Sequence, residues 1–301
     1  MKMLLDADMP AMELGGLQDY PETPTTLLVD SDGVEHAFDK NGVELLKEPL
    51  PWETVRDLAK GRFISILTKS EAGGFEAYLS RGETFRHKLA TILKYKGNRD
   101  GRERPFHSAR IKQYYADTFG AQWCDGYEAD DGMAMEQWGD WSYLAKLYDY
   151  NEERIKENSN TVICSRDKDL NTVPGWHFNW TLKKEAEKRE MLGEVHFEKP
   201  PYYVTLMQSI RNFYTQMLMG DSVDNIKGLY NVGKKSAWIK QLDDMHDEPA
   251  MYEHVKDKYQ RYYGNWWREA LVETGRLLHM LRKPGDVWLP PDERDNNYYE
   301  I

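Results

Sequence analysis

At 301 residues, with 40% hydrophobic side chains and a formal charge of −11, the chain can build one large domain or two modest ones around a soluble core. This acidity argues against a surface that is basic throughout, and no apolar run is long enough to suggest a membrane span. The two cysteines, Cys124 and Cys164, give neither a disulfide framework nor zinc spacing and read as reduced core thiols of a cytoplasmic protein. Asp6 and Asp8 break the first apolar stretch, so no signal peptide is expected.

In chain order, the N-terminal half reads as α/β. Met3–Leu5 predicts a short buried strand ending at Asp6. Runs 25–29 and 34–38 flank Asp30-Ser31-Asp32-Gly33 and predict a hairpin. Residues 52–59 fit a short helix, and 63–67 and 75–79 fit strands separated by a turn at Gly73-Gly74. Helices are expected over 107–118, 127–138 and 142–157, and a strand over 161–164 that ends just before Asp167. Trp138, Trp141, Tyr143, Tyr148 and Tyr150 read as packing or surface residues. The segment 183–200 is charged and aperiodic and reads as a connector. After Pro200-Pro201 the pattern turns helical: 202–219 closing at Gly220, a helix opening at Asn231-Val232-Gly233 and running through Ile239, then 249–260 and 264–282. Trp238, Trp266 and Trp267 read as helix-packing side chains. The end, 292–301, reads as a frayed tail.

Carboxylates gather in short contexts: Glu128-Ala129-Asp130-Asp131, Asp167 with Asp169, and Asp221 with Asp224. Grouped carboxylates repel unless cations sit between them, and an all-oxygen donor set favours Mg²⁺ or Mn²⁺. On a helix, Glu128 and Asp131 share a face and Asp130 lies on the next sector. Asp6 and Asp167 sit just beyond strand ends, where ligands collect in open α/β sheets. Asp8 reads equally as an outer acceptor or as a helix cap. The whole-chain charge hides a local excess: residues 86–112 hold nine Lys/Arg against two Asp/Glu, which suits a phosphate-binding surface.

Four motifs in this order, "YKGNRDGRERP" at 95–105, "GYEADDGMA" at 126–134, "SRDKDL" at 165–170 and "GDSVDNIKGLYNVGKKSA" at 220–237, resemble the phage and bacterial 5′-nuclease family of 5′–3′ exonucleases and flap endonucleases. The resemblance covers most of the chain and is weaker over the first 80 residues. It implies an α/β nuclease core over 1–200 with a central mixed or largely parallel sheet, flanking helices and a basic helical arch or gateway near 84–118. It also implies a helical region over 201–291 carrying a helix-three-turn-helix DNA-binding element, followed by the tail.

From the resemblance, two divalent cations, Mg²⁺ or Mn²⁺, are expected on Asp6, Glu128, Asp130, Asp131, Asp167, Asp169, Asp221 and Asp224, with Asp130 central to catalysis. A monovalent cation is a further expectation for the 224–233 turn. Lys96 and Arg99 are expected at the reacting phosphate, and Tyr95 either stacks on a terminal base or is a core aromatic. Gly228 and Gly233 suit close approach of turn amides to a phosphate, with Lys234 and Lys235 on the backbone farther from the cut. The partner implied is double-stranded or branched DNA with a 5′ end or flap, met by a monomer without membrane contact in the cytoplasm, the host's if the chain is phage-encoded. Cleavage of RNA in an RNA·DNA hybrid and noncatalytic junction binding stand as alternatives. One departure is visible: "AYLSRGETFRHK" at 77–88 places Ser80 where relatives often have an aspartate, with Glu83 as a candidate substitute. An arginine soon after Asp6, frequent in relatives, is absent as well.

Overall fold

The computed structural model describes residues 1–180 and 200–294. Most of the 183–200 connector and most of the 292–301 tail therefore lie outside the described residues. The described chain is α/β: a six-stranded, mostly parallel sheet flanked by helices, followed by a helical C-terminal region.

The sheet is ordered Tyr202–Val204, Gly175–Phe178, Thr161–Cys164, Lys2–Asp6, Gly74–Arg81, Gln122–Asp125. Only the Tyr202–Val204 edge runs antiparallel to its neighbour. Lys2–Asp6 lies between parallel neighbours, which explains its near-continuous apolar run. Its pleat still alternates. Met3 and Leu5 join a core with Val55, Phe63 and Tyr115, while Leu4 joins Met133, Ala134 and Ile163 on the other face. Both cysteines are buried and free.

Several expected elements shift. Residues 63–67 are not a strand: they belong to one helix, Trp52–Lys69. Val55, Ala59, Phe63 and Ile66 fall at helical spacing and are all buried, so the longer stripe overrides the local apolar run. The expected helices at 127–138 and 142–157 resolve as Ala129–Leu147 and Glu152–Asn158, broken where Asp149 and Tyr150 take positive φ. Trp138 and Trp141 pack with Leu144 and Ile155, as expected of core aromatics. The strands Gln122–Asp125, Gly175–Phe178 and Tyr202–Val204 have too little alternation to announce themselves.

In the C-terminal region, Leu206–Met219, Glu248–Tyr263 and Trp267–Leu278 pack around Phe213, Tyr214, Met217, Tyr259 and Leu271. Gly220 stops the first helix at φ 70°. The helix expected from Asn231 begins only at Ala237, after Ser236 accepts a hydrogen bond from the Trp238 N–H. Trp266 is exposed rather than packed. Among the described residues no helix is long and apolar enough to cross a membrane.

Residues 18–49 form an excursion between the Asp8–Gly15 and Trp52–Lys69 helices. A three-stranded antiparallel sheet (Thr26–Val29, Glu35–Phe38, Glu44–Leu45) projects from a two-stranded base in which Gln18 pairs with Pro49. The hairpin turns at Gly33, whose φ of 80° suits glycine.

Gly275 lies inside the Trp267–Leu278 helix, and a β-carbon there would stand 2.4 Å from the Trp288 ring. Replacing a helical glycine by alanine ordinarily stabilises by about 1 kcal/mol. Here Gly275→Ala is expected to cost roughly 1–3 kcal/mol through overpacking. Urea melts check this, and an equal or higher midpoint would show that Trp288 moves aside.

Candidate active site

Parallel strands deliver the first carboxylates at their carboxyl ends. Asp6 closes the central strand. Its Oδ1 accepts from the N–H groups of Asp8 (3.1 Å) and Met9 (3.2 Å) at the start of the Asp8–Gly15 helix, and its Oδ2 accepts from the Ser165 hydroxyl (3.0 Å). Asp167 follows the neighbouring strand. Its Oδ1 accepts from the Asp169 N–H at 2.8 Å, so the chain turns here and Asp169 opens a short 3₁₀ segment. Glu128 and Asp130 come from the start of the Ala129–Leu147 helix, and Asp221 and Asp224 from the turn after Gly220. Glu128, Asp130, Asp167, Asp169, Asp221 and Asp224 line a single cleft with Tyr95 and Gln216, and Asp6 acts on Asp130 from beside it.

The repulsion expected of such a gathering is visible in the protonation equilibria. Burial, then the charge of Asp8, pushes Asp6 up to about 7. Burial, then Asp6, Asp167 and Glu128, raises Asp130. Asp167 is raised by burial against the Asp169 N–H, with Asp224 and Asp221 adding to the rise. Asp169 is pushed up to about 8 by burial and by Asp221 and Asp167. At Asp221, burial is outweighed by hydrogen bonds from protonated Asp169 and the Val223 N–H, so its carboxyl sits low.

Cations of the chain already offset part of this charge. The Lys96 ammonium meets Glu128 Oε1 at 2.5 Å and lies 3.5 Å from Asp224 Oδ2, and Arg99 meets Asp224 Oδ1 at 2.5 Å. Burial would lower the Lys96 pKa, but Glu128 and Asp224 raise it. Lys96 adopts φ 54°, and its N–H donates to the Asp224 carbonyl at 2.9 Å, which fixes the basic segment on the 221–225 turn. Asn98 and Asn225 add side-chain bonds across the same junction.

Two site expectations are corrected by their surroundings. Tyr95 is 3% exposed and packs with the C-terminal core, so its ring offers no stacking platform. Its hydroxyl instead lies 2.9 Å from Glu128 Oε2 and 2.6 Å from Asp224 Oδ2. Asp131 does not line the cleft. It is fully buried and receives both Arg86 nitrogens, at 2.5 and 2.8 Å, together with the N–H groups of Glu128 and Leu281. Its oxygens are spent on these donors, so it is the partner of Arg86 and not an ion ligand.

Outside the cleft, Gly228 is needed for a reason other than phosphate approach: a β-carbon there would stand 2.1 Å from the Met219 carbonyl carbon, because the chain passes directly against Gly220. Gly233, Lys234 and Lys235 are exposed on the turn ahead of the Ala237–Leu242 helix. Ser80 stands between the two helix starts: its N–H donates to Asp8 Oδ2 at 3.0 Å, and its hydroxyl accepts from the Ala129 N–H at 2.9 Å. Neither Ser80 nor Glu83 lines the cleft. Asp8 is also paired with Lys112 at 2.7 Å.

Sequence reading missed Gln216 and Ser165. Gln216 donates to Asp169 Oδ1 at 2.8 Å, while its own Oε1 is buried in the cleft without a hydrogen-bond partner. No local pattern marked it, since Ser209 and Asn212 on the same helix face are polar as well. Among the described residues, no three His, Cys, Asp or Glu donors close around one point as they stand. The donor chemistry nonetheless fits a hard cation: mutually repelling carboxylates plus an orphaned amide oxygen, with the charge held apart by Lys96 and Arg99.

No family model matches the chain, and no curated protein matches it. Solved structures similar to it include three from bacteriophage T5. The T5 D15 protein co-crystallised with metal ions is 18% identical, with a TM-score of 0.42 over 72% of this chain and 78% of that one. A bacteriophage T5 D15 flap endonuclease variant, in a pseudo-enzyme–product complex with DNA and metal ions, is 15% identical at TM-score 0.35, covering 75% of this chain and 90% of that one. A T5 5′-exonuclease variant is 14% identical at TM-score 0.35, covering 75% and 92%.

The raised carboxyl groups set a direction for stability. A carboxyl whose folded pKa lies above its unfolded value binds more protons when folded, so its contribution is full below about 4 and is lost as pH rises through the folded value. With Asp6 at about 7 and Asp169 at about 8, the metal-free protein is expected to lose melting temperature between pH 5 and pH 8. Added Mg²⁺ should raise the melting temperature more at pH 8 than at pH 5, because cation binding and protonation compete. Equal Mg²⁺ increments at both pH values in thermal melts would contradict this picture.

Proposed function

We propose that the protein is a divalent-cation-dependent, structure-specific 5′ nuclease that hydrolyses DNA phosphodiesters, as a 5′–3′ exonuclease, a 5′-flap endonuclease or both. The observation that carries this reading is convergence: acidic residues from three separate segments meet in one cleft, with Asp6 beside it and Lys96 and Arg99 alongside. Buried carboxylates gathered this way weaken a fold unless they serve something that neutralises them. Asp6, Glu128, Asp130, Asp167, Asp169, Asp221 and Asp224 would hold the ions, with Gln216 Oε1 as an additional oxygen. When bound, Mg²⁺ or Mn²⁺ supplies the Lewis acidity that activates water and balances charge on the reacting phosphodiester.

The chain's own groups do the rest. Lys96 and Arg99 are held over the cleft by Glu128 and Asp224, so a phosphate entering there exchanges one oxyanion partner for another. At the phosphate they offset charge building on the non-bridging oxygens. Tyr95 positions Glu128 and Asp224 through its hydroxyl. Gly233, Lys234 and Lys235 suit a duplex backbone outside the cleft, with a monovalent cation in the 224–233 turn as part of the same reading. The partner is DNA with a 5′ end or flap, met by a monomer, and the products carry a 5′-phosphate and a 3′-hydroxyl.

The test is incubation of 5′-flap duplex, recessed-end duplex and RNA·DNA hybrid with Mg²⁺, Mn²⁺ or EDTA, with identification of product ends. Turnover in EDTA, or no cleavage of any substrate, overturns the proposal; selective loss of the RNA strand reassigns the substrate.

Variants separate chemistry from binding. Asp130→Asn should nearly abolish turnover yet leave the metal-free melting temperature equal or higher, since it removes a charge that its neighbours oppose. Lys96→Ala should slow single-turnover cleavage by about 10²- to 10³-fold with little change in duplex affinity. Lys234→Ala should weaken binding across sequences and make the salt slope shallower by roughly 0.9. Equal catalytic loss with unchanged binding in both lysine variants would remove the division of labour.

A further inference from the structure

A second cavity backs onto the carboxylate cleft. It measures about 450 Å³, within the range of small-molecule sites, and lies between the Phe85–Leu89 helix, the 125–127 turn and residues 276–288. Its walls are mainly apolar, supplied by Phe85, Leu89, Tyr127, Leu281, Val287 and Trp288. Two cations, Lys88 and Arg276, also line it, and neither has a carboxylate partner among the described residues. The acids at its edge differ in availability: Asp286 is held by His279 at 2.8 Å and by the Arg282 N–H, whereas Asp125 is exposed.

The two cavities share two wall segments, 85–86 and 276–281. Arg86, Leu277, Leu278 and Met280 face the carboxylate cleft, while Phe85, Arg276, His279 and Leu281 face the second cavity. Different residues of the same two segments therefore line the two cavities, with none of them in both, so the second cavity is a separate compartment and not an extension of the first.

We propose that this cavity is a binding site for a flat aromatic molecule carrying one anionic group. The ring fits between Phe85, Tyr127 and Trp288, and the anion meets Lys88 and Arg276. Aromatic walls favour a ring by offset or edge contact, and Lys88 and Arg276, neither paired with a carboxylate among the described residues, favour an anionic group beside them; Asp286 is engaged by His279 and the Arg282 N–H, which leaves the exposed Asp125 as the lining charge that opposes an anion. The inference is independent of the nuclease reading, because its readout is binding without DNA or added metal.

The probe is anilinonaphthalene sulfonate, an aromatic anion that fluoresces on leaving water, titrated into the full chain under conditions where a cooperative melt shows it folded. Saturable binding at one site per chain is expected. Val287→Trp, at a half-exposed position, fills the mouth without burying new polar groups, and Lys88→Glu reverses one charge on an exposed side chain. Each should weaken the probe by about tenfold, the scale of losing one good contact or one favourable charge. A cationic aromatic dye of similar size should bind the parent protein more weakly than the anionic probe. Absence of saturable binding overturns the proposal. So does undiminished binding in both variants, or equal affinity for the cationic dye.

Discussion

The buried pair of Arg86 and Asp131 is the constraint on which the rest depends. Both charges are removed from water, which is costly, and the cost is met only because both carboxylate oxygens and all three guanidinium nitrogens find a partner. Arg86 also donates to the carbonyls of Leu277 and His279, at 2.9 and 2.8 Å. A single side chain thereby ties the helix that presents Glu128 and Asp130 to the end of the last long helix. The α/β core and the C-terminal helices are fixed to each other at the point where the acidic cleft lies between them. Loss of either partner would strand the other charge in a dry interior, so the site's geometry and the seating of the C-terminal helices share one point of failure.

Against that background, the acidic cleft is a tolerated instability. Asp6, Asp130, Asp167 and Asp169 all hold protons more tightly than free carboxyls do. Lys96 and Arg99 relieve the excess without eliminating it. Lys96 accepts a left-handed backbone conformation to do so, a mild strain for a residue with a β-carbon. The fold therefore spends some stability to keep a concentration of negative charge poised.

The α/β character of the first half and the helical character of the second were legible because alternation and helical spacing persist over long runs, as in Leu206–Met219. Asp6, Glu128, Asp130 and the 167/169 and 221/224 pairs were legible as a set because their contexts are unusual. The misreadings have local causes. At 63–67 a five-residue apolar run mimics a strand, and only the stripe back to Val55 reveals the helix. Asp131 shares its motif and helix face with Glu128, but nothing local announces that Arg86, 45 residues earlier, will claim it. Tyr95 in a basic stretch resembles a base-stacking residue until tertiary packing buries its ring. Gly228 is required by a backbone that arrives from Gly220, which no local pattern encodes. Spacing reports on faces; it does not report which partner reaches a face first.

The excursion at 18–49 leaves and rejoins the core at one place, since Gln18 pairs with Pro49 and Asp19 with Glu48. Its outer sheet exposes Leu27, Leu28 and Val29 and contributes little to the main cores. A closed base with a projecting tip makes the segment topologically separable: the chain could be opened, shortened or given a foreign passenger at the Asp30–Gly33 turn while the strand ends bearing Asp6 and Asp167 keep their neighbours. Evolution can vary the length and chemistry of such an appendage with little consequence for the central sheet, which makes it the place where otherwise similar chains can most readily diverge.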